Sequence, residues 1–113
     1  MRTAQDLPEA ERRVLKEVQR RIQQEFPQWR FGMILFGSRA RGDADPDSDT
    51  DVLVEVDVEA VSFAEKQRVR RVAGEVSIDF GVVLSILISD RRLRKERGDF
   101  SIFLNIREEG IPV

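Results

Sequence analysis

Two aspartates one residue apart, Asp49 and Asp51, stand in a segment of strict apolar and polar alternation. On a strand, positions two apart project from one face, so the pair can share divalent cations. Asp79 lies in a second alternating segment between Ile78 and Phe80, where a carboxylate is costly unless something cationic meets it. If the two segments are neighbouring strands, three carboxylates converge. That arrangement serves two-metal phosphoryl or nucleotidyl transfer, with ions about 3.5–4 Å apart holding the entering and leaving oxygens. Upstream, an apolar run ends in Gly37-Ser38-Arg39-Ala40-Arg41-Gly42. A Gly-Ser turn opening a short helix exposes backbone N–H groups to a phosphate chain. The Arg39 and Arg41 forks suit phosphate oxygens, although a solvated helix face also explains them; Arg41 is the candidate.

The chain contains neither His nor Cys. Imidazole triads, thiol nucleophiles, zinc thiolates and disulfides are therefore excluded, and any metal must be bound by oxygen, which favours Mg²⁺ or Mn²⁺. At 113 residues a single domain over residues 1–113 is expected. Hydrophobic residues at 41% suffice for a core. The net charge of −2 selects no partner by long-range field. The apolar run Val82 to Ile88 is far short of the ~20 residues that cross a bilayer, and a reducing cytoplasm fits.

The positioning elements follow from periodicity. Leu7, Val14, Leu15, Val18, Ile22 and Phe26 recur at helical spacing, with Asp6 as the expected N-cap and Glu9 reaching back. Phe31 to Phe36 reads as a buried strand, and Gly42 to Asp51 as a loop. From Asp49, a half-buried strand points Val52, Val54, Val56 and Val58 one way and Asp49, Asp51, Leu53, Glu55 and Asp57 the other. Ser62 and Glu65 form a capping box for a helix expected to end at Gly74. A third strand is expected from Val76 to Leu84, with Asp79 on its polar face. Ser89 or Asp90 caps a short basic helix to Arg97, and Phe100 to Glu109 form a last helix. The fold class is α/β, a small mixed β-sheet with helices packed on one side.

Taken together, Gly37-Ser38, ten residues, then Asp49-Thr50-Asp51 resembles the signature of the DNA polymerase β-type nucleotidyltransferase superfamily. The fuller run Gly37 to Val52 resembles its minimal nucleotidyltransferase (MNT) members, over nearly the whole chain. The resemblance implies that Asp49 and Asp51 ligate two Mg²⁺ ions, and that Asp79 completes the site and takes the proton of the attacking hydroxyl. Gly37 and Ser38 would hold the phosphates of ATP. It further implies a partner that supplies the acceptor, since members of this size lack the second domain of larger relatives. Many minimal members are antitoxins that silence a HEPN-domain ribonuclease toxin by adding AMP to it, which makes a hetero-oligomer the expected assembly. The chain has no Tyr, so if the acceptor is a tyrosine hydroxyl, all label must appear on the partner.

Other readings stand beside these. A non-catalytic antitoxin that inhibits by binding alone would keep the fold, but three clustered acids repel one another without metal. Transfer to a small molecule or an RNA end is a third possibility. The ladder Asp43, Asp45, Asp47, Asp49, Asp51 is no EF-hand: from Asp43 the sixth and twelfth positions are Ser48 and Val54, where Gly and Glu are required. The basic run Arg91 to Arg97 contains no aromatic residue for base stacking, so direct nucleic-acid binding is not expected.

Overall fold

The computed structural model describes residues 2–113; Met1 lies outside the described residues. A 3₁₀ turn, Ala4–Asp6, precedes α1 (Glu9–Glu25), β1 (Phe31–Phe36), α2 (Gly37–Arg41), β2 (Thr50–Val56), α3 (Phe63–Phe80), β3 (Leu84–Ser89), α4 (Arg91–Arg97), α5 (Ser101–Glu109) and the two-residue β4 (Ile111–Pro112). The sheet order is β3-β2-β1-β4. β1 pairs antiparallel with β2 and β4, whereas β2 and β3 are parallel. Parallel neighbours need a crossover, and α3 provides it.

One sheet face carries the core. Val52, Val54 and Val56 alternate inward with Met33 and Leu35, against Val18, Ile22 and Phe26 of α1 and Val69 and Val76 of α3, all 2% exposed or less. Each such side chain contributes about 1.5–3 kcal/mol of burial. The two long helices share this face of the mixed sheet that the pattern predicted. The other face is not bare. Leu53 is also buried, and so is Ile106 of α5, whose segment leans over that face: a Cβ at Gly110 would run into Ile34 and the Ile106 carbonyl. The valine alternation is therefore half the story, because mid-strand β2 is covered on both sides.

One helix start, one helix end and one strand differ from expectation. Asp6 does not cap α1; its carboxylate accepts from the Thr3 backbone N–H at 2.7 Å, inside the 3₁₀ turn, and Pro8 occupies the N-cap of α1. Ser62 and Glu65 do form their reciprocal box, at 3.1 and 2.9 Å, but α3 runs through Gly74 to Phe80. A mid-helix glycine costs only about 1 kcal/mol, and nothing lies within 4 Å of a Cβ built on Gly74. The terminating residue is Gly81, left-handed at φ 65°, whose N–H bonds the Ser77 carbonyl. No strand spans Val76 to Leu84. The alternation there is fortuitous: Val76 is buried while Ile78 is 84% exposed. Val69, Val72, Ala73 and Val76 repeat at three and four residues, the helical period that settles the segment. The third strand is the later apolar run, Leu84–Ser89. Asp90 caps α4 through Leu93 N–H at 2.8 Å and also accepts from Val61 N–H at 2.8 Å, which ties the start of α4 to the approach to α3.

Candidate active site

The site forms where β1 ends and β2 begins. Phe36 is register partner of Asp51, so the residue after Phe36 must turn away at the level of that carboxylate. Gly37 does so at φ 74°, a conformation that favours glycine. A Cβ there would collide with the Asp51 carboxylate, Oδ2 first. Gly37 is thus required twice, by its backbone and by the acid it touches. α2 begins at once, and Gly42, at φ 85°, closes it with N–H to the Ser38 carbonyl at 2.9 Å. Gly37 and Asp51, separate in sequence, are thus packed against one another in the fold.

Asp49 is exposed just before β2, buried Thr50 anchors the strand through its N–H to Val83 O at 2.8 Å, and Asp51 is half-buried. Burial first, and the charge of Asp49 second, push the Asp51 carboxyl above its ordinary value, while Arg41 pulls it down. Among the described residues neither acid of the pair has an ion-pair partner. Arg41 bonds Asp43 at 3.2 Å and Glu109 at 3.4 Å instead. Two adjacent carboxylates, one raised by burial and by the other, and neither neutralised, fit a hard divalent cation.

Asp79 does not join them. It sits in the last turn of α3 with Oδ2 held by Arg21 at 2.8 Å, and among the described residues no three acidic side chains are grouped to hold a metal. The three-acid cluster expected from the sequence is therefore corrected to a pair. The reason is the extension of α3, which moves Asp79 off the sheet. The residue beside Asp51 on the neighbouring strand is Ser85, exposed and on the same face by register. The donors present fit a cation held by Asp49 and Asp51, with its other positions left to a ligand's oxygens.

Arg39, paired with Arg41 in sequence, does different work. Its Nη1 reaches Glu11 on α1 at 2.6 Å, and its Nε and Nη2 reach the Ser48 carbonyl at 3.1 and 2.7 Å. It fastens the loop before Asp49 to α1 and α2. In that loop Asp45 accepts from Asp47 N–H at 2.9 Å, an Asx turn, so the alternating aspartates are divided between turn-making and the pair. Arg2 Nη1 lies 3.2 and 3.3 Å from the Arg39 and Ala40 carbonyls at the end of α2. No spacing in the sequence marks Arg2, Glu11 or Arg39 for this bracing, because their partners are distant in the chain.

No helix among the described residues is long and apolar enough to cross a membrane. No curated protein matches the chain. A family model described as "Nucleotidyltransferase domain" matches residues 15–97, a span that takes in the Gly37-Ser38 turn, the Asp49/Asp51 pair and all of β1 to α4. With well over half of the chain matched and the glycine turn closed against the acid pair, the protein belongs to the nucleotidyltransferase-domain family.

Proposed function

We propose that the chain is a Mg²⁺-dependent nucleotidyltransferase that moves AMP from ATP to a hydroxyl of a partner protein, a HEPN-type ribonuclease toxin, and so acts as its antitoxin. The observation that carries the enzymatic part is the contact of left-handed Gly37 with the Asp51 carboxylate beside Asp49. Phosphates lying along Gly37 and Ser38 would have their α-phosphorus beside the only acids of the site. Asp49 and Asp51 would hold two Mg²⁺ ions, which would supply charge neutralisation for the transfer. Arg41, close enough to lower the Asp51 pKa, would turn from Asp43 and Glu109 toward the phosphates. The acceptor oxygen forms a bond to the α-phosphorus, the bridging P–O bond to the β-phosphate breaks, pyrophosphate leaves, and the hydroxyl proton passes to water. Phosphoryl-type transfer rests mainly on positioning and electrostatics, so a third acid is not indispensable. The protein acceptor, the toxin partner and the choice of ATP rest on the resemblance to minimal nucleotidyltransferases.

Two observations favour a second reading, inhibition by binding alone: Ser85 stands where a neighbouring-strand acid would complete the cluster, and Asp79 is engaged by Arg21. The two readings separate in one experiment. The protein is incubated with labelled ATP, Mg²⁺ and the product of the adjacent gene, alone and together. Label on the partner that disappears with Asp49→Asn or Asp51→Asn supports transfer. Full neutralisation of the partner by both variants, without label, establishes binding alone.

A further inference from the structure

The sheet face that bears Asp51 also borders, farther along β2, a cavity of about 180 Å³. Its lining includes Leu53, Glu55, Ser89, Arg94, Phe103 and Ile106, with β2 and β3 as floor and the α4–α5 segment as roof. Three buried side-chain atoms among the described residues lack a hydrogen-bond partner, and two of them, Ser89 Oγ and Arg94 Nη1, belong to residues of this lining. Ser89 is only 1% exposed. Buried hydroxyls and guanidinium N–H groups ordinarily find partners, and leaving them without one is costly. Glu55 Oε2 stands 3.9 Å from Arg94 Nη1, beyond hydrogen-bond reach, so an acceptor and a donor lie side by side with a gap between them.

We infer that this cavity receives the base of the nucleotide whose phosphates lie at Gly37, Ser38 and the acid pair, with Ser89, Arg94 and Glu55 reading its polar edge. The inference rests on the function proposed above and adds to it the residues that grip the base. Three features argue for a base rather than water alone. The walls pair an aromatic ring, Phe103, with the aliphatic Leu53 and Ile106, a slot suited to a planar ring. Every nucleobase presents adjacent donors and acceptors at its edge, matching an adjacent carboxylate and guanidinium. Position also agrees. Glu55 is four residues along β2 from Asp51, about 13 Å of strand, the reach of an extended nucleoside monophosphate. Between them on the neighbouring strand, exposed Ser85 and half-buried Leu87 share the face of Asp51 and Leu53 by register.

Calorimetric titration of the full chain with ATP and with inorganic tripolyphosphate, each with Mg²⁺, tests this. Tripolyphosphate reports the phosphate and acid-pair site, whereas ATP adds the base. The wild type is expected to bind ATP about tenfold more tightly than tripolyphosphate, and Ser89→Ala and Glu55→Gln to lose about three- to tenfold in ATP affinity with tripolyphosphate unchanged. Glu55→Gln replaces an acceptor oxygen by a donor, so it should also alter the ratio of ATP to GTP affinity, which a merely structural role would not. Glu55 is partly exposed, and a melting curve verifies that the variant is folded. Variants that bind both ligands as the wild type does overturn the base slot and leave the acid-pair reading intact. Failure of the wild type to bind either ligand overturns both.

Discussion

The acid pair and Asp79 are opposite solutions to placing a carboxylate. Asp79 ends in a short bond to Arg21, which also bonds Glu17 at 2.8 Å, so its charge is answered inside the chain. Asp49 and Asp51 are left without an ion-pair partner among the described residues, and the Asp51 carboxyl is raised by burial and by its neighbour. A neutralised acid stabilises the fold, whereas an unneutralised pair keeps its affinity for something the chain does not contain. The difference separates a structural carboxylate from a functional one more firmly than position in an alternating pattern does.

The largest effect that would break this comparison is on transfer itself. Asp49→Asn and Asp51→Asn are each expected to lower labelling of the partner by at least about 100-fold, while Asp79→Asn leaves it within about threefold, because Asp79 lies outside the acid pair. Equal losses at all three positions, measured with labelled ATP, would return Asp79 to the site.

Gly37→Ala comes next. The added methyl meets the Asp51 carboxylate in a left-handed backbone, so a stability loss of about 1–2 kcal/mol and a severe loss of metal-dependent labelling are expected. Denaturant melts and the labelling assay check the two separately. Gly74→Ala, where a Cβ meets open space in the middle of a helix, should instead stabilise by about 0.5–1 kcal/mol.

Ser85→Asp sharpens the contrast in the other direction. An acid beside Asp51 on the parallel neighbour should tighten Mn²⁺ binding and destabilise the metal-free protein, as read by calorimetry and by melting with and without metal. Unchanged Mn²⁺ affinity would show that the face of Ser85 does not converge on the pair.

The smallest effects are those of pH. Asp51 holds its proton more firmly folded than unfolded, because its pKa is raised. Its ionised form therefore detracts from stability above that pKa, and the penalty is relieved as pH falls through it. Asp51→Asn should raise the melting temperature of the metal-free protein at neutral pH. Added Mg²⁺ should raise that of the wild type alone, by less as acid protonates Asp51. Glu17 has the opposite sign: hydrogen bonds from Arg20 and then Arg21 pull it from 4.5 to about 2. Its contribution is present above 4.5 and is lost as pH falls toward 2. Glu17→Gln should flatten the acid limb of a melting-temperature profile over that window; an unaltered limb would remove the Arg20–Glu17–Arg21 network from the account.

Local signals read well where the chain's neighbours in sequence are also its neighbours in space. The strand Phe31–Phe36, the Ser62/Glu65 box, the Asp90 cap and the valine alternation of β2 all depend on spacings of a few residues, although β2 starts at Thr50, one residue after the expected Asp49. The segment from Val76 to Leu84 failed for the same reason that it was readable at all. Its residues satisfy a two-residue period by accident, and the valines that reveal the helical period start earlier, at Val69. Gly74 and Gly81 are the same residue type, yet only Gly81 sits at φ 65°, and no local rule distinguishes them.

What the amino-acid order determined by itself was the chemistry available: oxygen ligands only, a glycine-serine turn, and two acids one residue apart where a strand begins, because residue type and short spacing set these directly. What only the tertiary structure decided was company. Parallel pairing put Ser85 rather than Asp79 beside Asp51, Arg21 reached across from α1 to occupy Asp79, and Arg39 became a brace instead of a phosphate ligand. Such partners lie tens of residues apart in the chain, and burial of the two long helices against one sheet face, rather than any local preference, brings them together.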